Sequence, residues 1–172
     1  MRREKMNNKG FSLVELIIVI AIMAVLIVVL APQYLKYVEK SRNSTDVTNA
    51  TEIVTAIQVY ASDPDVAASD MLGVGKDAEI TVGGSNTTIG TATVKNLDKA
   101  LAAAGFDVTT GTAPTMATTC VSKTAWTSYT IKVTVESNGN VKFTYTAGGN
   151  DKAEQNFKDA MAGKKIGSGD GA

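Results

Sequence analysis

Phe11 to Ala31 is a run of about 21 residues with a single charge, and no other feature of the chain restricts its fold as strongly. As an α-helix rising ~1.5 Å per residue, the run reaches roughly 30 Å, the hydrocarbon thickness of a bilayer. Its one charge, Glu15, sits where an isolated carboxylate costs several kcal/mol, which marks it as a functional candidate in need of a partner. Before the run, Arg2, Arg3, Lys5 and Lys9 oppose only Glu4, and positive charge flanking a span stays on the cytoplasmic side. The remainder of the chain is therefore expected outside. A conventional secretory signal would need small residues before a cleavage point after the apolar core, and the obvious place, Leu30-Ala31, is followed by Pro32. No cysteine comes after the run to take a lipid anchor at its end.

Lys9-Gly10, then Phe11-Ser12-Leu13-Val14-Glu15-Leu16, then a long apolar run with Pro32 just beyond it, resembles the prepilin signature of type IV pilins and the related pseudopilins. The resemblance implies cleavage between Gly10 and Phe11 by a membrane aspartic peptidase, the prepilin peptidase, and N-methylation of Phe11. It also implies that Glu15 guides subunit assembly and that the turns before Pro32 can unwind when subunits pack. The function it implies is structural, not enzymatic: an anchored subunit of the cytoplasmic membrane that polymerises through its N-terminal helix into a pilus, or fimbrium, at the cell surface. The implied partners are other copies of the chain, a pilus assembly ATPase, a membrane platform and the membrane itself. No catalytic residue, cofactor or metal is expected. Motility and adhesion, the work such filaments do, leave no separate mark here. A pseudopilin of a type II secretion or DNA-uptake machine is the alternative within the family. A solitary membrane-anchored binding domain is the alternative outside it, although an anchor alone needs neither Glu15 nor a basic leader ending in glycine.

Setting residues 1–31 aside leaves about 140 of 172 for one head domain with its own core. A single cysteine, Cys120, excludes an intrachain disulfide, unlike the many pilins whose C-terminal loop is closed by one, and is expected to be a small buried residue. The chain has no His, the commonest general base and metal ligand. Loss of residues 1–10 removes four of 17 basic and one of 17 acidic residues, leaving 13 and 16, net −3. Such a chain has no electrostatic reason to bind nucleic acid directly.

Beyond Pro32, which lacks an N–H for the carbonyl of Val28, the helix is expected to bend or loosen and then turn amphipathic. Val47, Ala50, Val54, Ile57 and Ala61, with Ile53 and Tyr60 beside them, form the apolar stripe, and Ser62-Asp63-Pro64 ends the helix. Lys36, Glu39, Lys40 and Arg42 read as a solvated face at the exit from the membrane. Residues 62–95 read as an irregular connection, Gly73, Gly75, Gly83 and Gly84 marking turns, with a short hairpin from Glu79–Val82 to Thr87–Ile89. Asp63, Asp65 and Asp70 lack the spacing of a calcium loop and read as solvated. Asn96 is expected to cap a two-turn helix ended by Gly105.

Tyr129, Ile131, Val133 and Val135 alternate with polar residues, as do Val141, Phe143 and Tyr145. A two-residue turn at Asn138-Gly139 would put apolar residues on both faces. A three-residue loop, Ser137-Asn138-Gly139, pairs Val135 with Val141 and Val133 with Phe143, with Gly139 left-handed in a G1 bulge. A strand somewhere in Met116–Trp126 and a helix from Asp151 to Ala162, capped by Asn150 and stopped by Gly163, complete the head. The triplets beginning at Asn43, Asn49 and Asn86 read as solvated surface rather than sugar acceptors.

The expected fold is an α+β lollipop, a long N-terminal helix packed in its second half under a mainly antiparallel sheet. Its parts are a cleaved basic leader (1–10), a transmembrane and filament-core helix (11–31), an amphipathic half belonging to the head (32–61), a globular head (62–163) and a flexible tail (164–172).

Overall fold

The computed structural model describes residues 10–90, 94–109 and 113–164. Its elements are α1 (Leu13–Ser62), β1 (Lys76–Val82), β2 (Thr87–Ile89), α2 (Leu97–Ala103), β3 (Val108–Thr109), β4 (Thr115–Met116), β5 (Ser128–Val135), β6 (Val141–Gly148) and α3 (Asp151–Met161). They make an α+β fold: a long N-terminal helix, apolar in its first half, and one six-stranded sheet. The chain divides into two compact units, Met1–Val38 and Glu39–Ala172.

In the first unit the helix is continuous through Pro32. The large apolar side chains from Leu13 to Leu30 are between 48% and 74% exposed, so this segment has no core of its own.

The second unit is built on a sheet in the order β3-β4-β2-β1-β5-β6, every neighbouring pair antiparallel. The β5–β6 hairpin has the expected register, Val135 opposite Val141 and Val133 opposite Phe143. Gly139 has φ +86° and donates to the Glu136 carbonyl, while the Glu136 amide donates to Asn140, closing the three-residue loop with its bulge. Tyr129, Ile131, Val133 and Val135 are buried and face the core. The hairpin of β1 and β2 pairs Ile80 with Ile89 and Val82 with Thr87. Residues 62–90 are more regular than expected, however, because β1 begins at Lys76 and pairs with β5 along all seven of its residues. Ala78, Ile80 and Val82 supply its buried face, a pattern too short to stand out without its partner strand.

Across the other face of the sheet one register line holds only threonine: Thr109, Thr115, Thr88, Thr81, Thr130 and Thr146, one from each strand. The Thr81 and Thr130 hydroxyls are 3.1 Å apart, a favourable cross-strand pair.

α1 enters the core through Ala50, Ile53, Ala56 and Ile57, joined by Asn43 and Asp46. The expected stripe is thus displaced: Val47 and Val54 are only partly buried, and Ala61 is exposed. Two polar residues occupy buried positions at its N-terminal end, which hides that end from a reading of apolar spacing. Asn43 is also removed as a sugar acceptor by its burial. On the helix surface Ser44, Thr45, Thr48, Thr51, Thr55 and Ser62 donate to the carbonyls four residues earlier, satisfying their hydroxyls locally.

Three further expectations are corrected. Asn96 precedes α2 but makes no side-chain cap; it is left-handed, φ +63°, and its amide donates instead to the carbonyls of Ser69 and Met71. The strand expected in Met116–Trp126 is only Thr115–Met116, and after it Val121–Ala125 form a loop whose amides have their partners on α1. α3 is capped as expected by Asn150, which accepts from the Ala153 amide at 2.9 Å, but ends one residue earlier, at Met161. Phe157 of α3 stacks on Tyr129 with centroids 4.8 Å apart and meets Trp126 edge-on at 5.1 Å, holding α3 on the core face. Most of the expected leader (1–9) and tail (165–172) lies outside the described residues.

Candidate functional site: the start of α1 and its carboxylates

Gly10, Phe11 and Ser12 lead into α1 without belonging to it. Phe11 is 93% exposed, and a Cβ built on Gly10 would meet nothing within 4 Å, so the fold makes no demand for glycine there. Glu15 lies in the first helical turn, where its Oε2 accepts from the Ser12 amide at 2.9 Å. Ser12-Leu13-Val14-Glu15 therefore forms the glutamate half of a capping box, a signal that a search for membrane features overlooks. It gives the carboxylate a local partner in the single subunit, at the end of the helix dipole that favours negative charge. Pro32 is embedded in the helix 17 residues further on, leaving the Val28 carbonyl without its usual donor.

Two other carboxylates of α1 do what sequence reasoning does not foresee. Glu39, expected on a solvated face, accepts at Oε1 from the Ser122 hydroxyl (2.8 Å) and the amides of Lys123 (2.7 Å), Thr124 (2.7 Å) and Ala125 (3.4 Å). Burial alone would raise its pKa, but the Thr124 and Lys123 amides and the Ser122 hydroxyl outweigh burial and hold the pKa at about 2. Arg42 lies 3.5 Å from its other oxygen. Two turns along the same helix face, Asp46 is fully buried. It accepts from the amides of Val121 (2.8 Å) and Ser122 (2.9 Å), the Trp126 indole N–H (2.9 Å) and the Cys120 thiol (3.3 Å). Cys120 is accordingly buried, with its pKa pushed up to about 12 by desolvation first and the Asp46 charge second. The only sequence signal is two acids seven residues apart on one helix face; their donors, 74 to 86 positions away, carry no motif.

Of the three aspartates considered as calcium ligands, Asp70 pairs with Lys99 at 2.6 Å and Asp63 accepts from the Asp65 amide at 2.9 Å.

Residues 5–31 match the family description "Prokaryotic N-terminal methylation motif". This segment is a prepilin motif. It marks a class III signal peptide, the form found on type IV pilin and pseudopilin precursors, and it ends one residue before Pro32. No solved structure matches the chain. A prepilin motif implies processing by a prepilin peptidase and assembly into a membrane-associated filament. Running as it does into a helix with exposed apolar side chains, the motif fits membrane anchoring before assembly. Proteins of the pilin type are structural.

Proposed function

We propose that the chain is a type IV pilin-like structural subunit, cut between Gly10 and Phe11, N-methylated on Phe11, and polymerised through residues 11–31 into an extracellular pilus. The observation that carries this reading is a prepilin motif continuing into an apolar helix that has no buried side chain there among the described residues. Such a surface must be covered by lipid or by the same helices of other copies. Both surroundings are apolar, so transfer from one to the other changes little hydrophobic free energy and is reversible. A cytoplasmic ATPase and a membrane platform then need mainly to supply direction. The free space around Gly10 supports the cleavage site, since the requirement for glycine arises outside the fold.

Glu15 is the assembly residue in this reading. In lipid its carboxylate reaches the interface and keeps the Ser12 amide. Once helices pack side by side and water is excluded, the positively charged amine of a neighbour's Phe11 becomes its partner. At ~4 Å and an effective dielectric near 20 the attraction is about 4 kcal/mol, comparable with the desolvation it offsets, so the pair selects register more than it adds stability. Glu15→Gln keeps an oxygen for the cap and removes the charge; Glu15→Ala removes both. Both strains are expected to process and insert the subunit and to display few filaments by electron microscopy. Normal filament numbers in a Glu15→Gln strain with normal processing would reduce Glu15 to a helix cap.

A further inference from the structure

The amides of five successive residues, Val121 to Ala125, are all taken by two carboxylates of α1, the first two by Asp46 and the next three by Glu39. The sixth, Trp126, donates to the Ser122 hydroxyl at 3.3 Å, which itself donates to Glu39. Backbone donors curled around one oxygen make a concave anion site whose groups cannot swing away as a lysine can. Glu39 is also the first residue of the compact unit that holds the sheet. Seven residues before it stands Pro32, where α1 lacks one of its own hydrogen bonds, and seven residues after it stands Asp46, which is fully buried. Along the helix, a weak point is thus succeeded by a surface clasp and then by a buried anchor.

We infer that the Glu39 clasp sets the limit to which α1 can loosen, holding the helix beyond it to the loop at residues 121–126 while the turns around Pro32 change conformation. The clasp itself does not depend on the filament reading; only the occasion for loosening, the packing of subunits, rests on it. Glu39 is a positioning residue here. If its role were merely to order the loop, its loss would be felt in the loop alone. As a limit, its loss must move the boundary of protection along α1.

Residue-resolved amide hydrogen exchange on the full chain in detergent micelles reads that boundary. In the unmodified chain the amides of residues 40–46 are expected to exchange slowly and those of 33–38 faster. In Glu39→Ala, exchange at residues 40–43 and at 123–125 should rise about tenfold to a hundredfold, while residues 50–57 and strand β5 stay protected. Faster exchange at 123–125 with no change at 40–43 would overturn the inference. Should Glu39→Ala also lose protection in β5, Glu39→Gln decides, because its amide oxygen still accepts but carries no charge. A rise at 40–43 together with 123–125 then supports the limit, and no rise at 40–43 overturns it. Filament formation by the unmodified strain is scored separately by electron microscopy, so a failure of the filament reading leaves the exchange result standing.

Discussion

Between Leu13 and Leu30 the apolar side chains of α1 stand exposed, whereas between Asn43 and Ile57 the same helix buries six residues, two of them polar. The first stretch is defined by what it lacks, a core, and its composition alone states the surroundings it needs. The second is defined by partners such as the Asp46 donors, which arrive from 74 to 80 positions later in the chain. One backbone conformation thus serves two environments. In the first, almost any apolar residue satisfies the helix; in the second, particular atoms of particular side chains are matched to particular donors.

If that contrast is right, the largest stability effect falls on the buried anchor. Asp46→Ala leaves the amides of Val121 and Ser122 and the Trp126 indole without their acceptor. The expected loss is about 3–5 kcal/mol, lowering Tm by roughly 10 °C or more as read by Trp126 fluorescence. Leu26→Ala in the exposed stretch should change the same reading by less than about 0.5 kcal/mol. Equal effects would break the comparison.

Glu39→Ala is expected to cost less, about 1.5–3 kcal/mol, since several charge-assisted hydrogen bonds are lost at a half-buried site. Its pH dependence sharpens the point. The folded pKa of about 2 lies below the ordinary 4.5, so the contribution of Glu39 is complete above about pH 4.5 and fades as pH falls toward 2. The Tm difference between the unmodified chain and Glu39→Ala should therefore shrink steadily across that window. A difference independent of pH would mean that Glu39 acts by packing rather than by charge.

Gly139→Ala tests the hairpin whose register is plainest in the sequence. At φ +86° the added Cβ is strained although space is open, for a loss of about 1 kcal/mol in thermal unfolding. At Cys120 the smallest effect is expected. With its pKa pushed up to about 12 the thiol should resist alkylation at neutral pH until the chain is denatured, and Cys120→Ser should cost less than about 1 kcal/mol. Rapid labelling of the folded chain would show that the Asp46 pocket opens.

Legibility in the sequence divides along the same line. The β5–β6 register and the Asn150 cap depend on neighbours within a few residues, and the expected pattern and the structure agree, whereas α1 begins at Leu13, two residues later than expected, behind the Ser12–Glu15 cap. Strand β1 is legible only in part because its length is set by β5, about 50 positions away. Glu39 and Asp46 escape a sequence reading because a charge that binds loop amides has the same local signature as one that binds water. Asn96 misleads for a related reason: its amide has carbonyls of Ser69 and Met71 to serve, which outcompete the cap.

Use of the prepilin motif as a processing signal is the central claim, and intact-mass analysis of filaments sheared from cells tests it directly. The measurement should find a chain that has lost residues 1–10, begins at Phe11 and carries one added methyl group. A cell-associated chain retaining residues 1–10, or a mature chain beginning near Pro32, would contradict it.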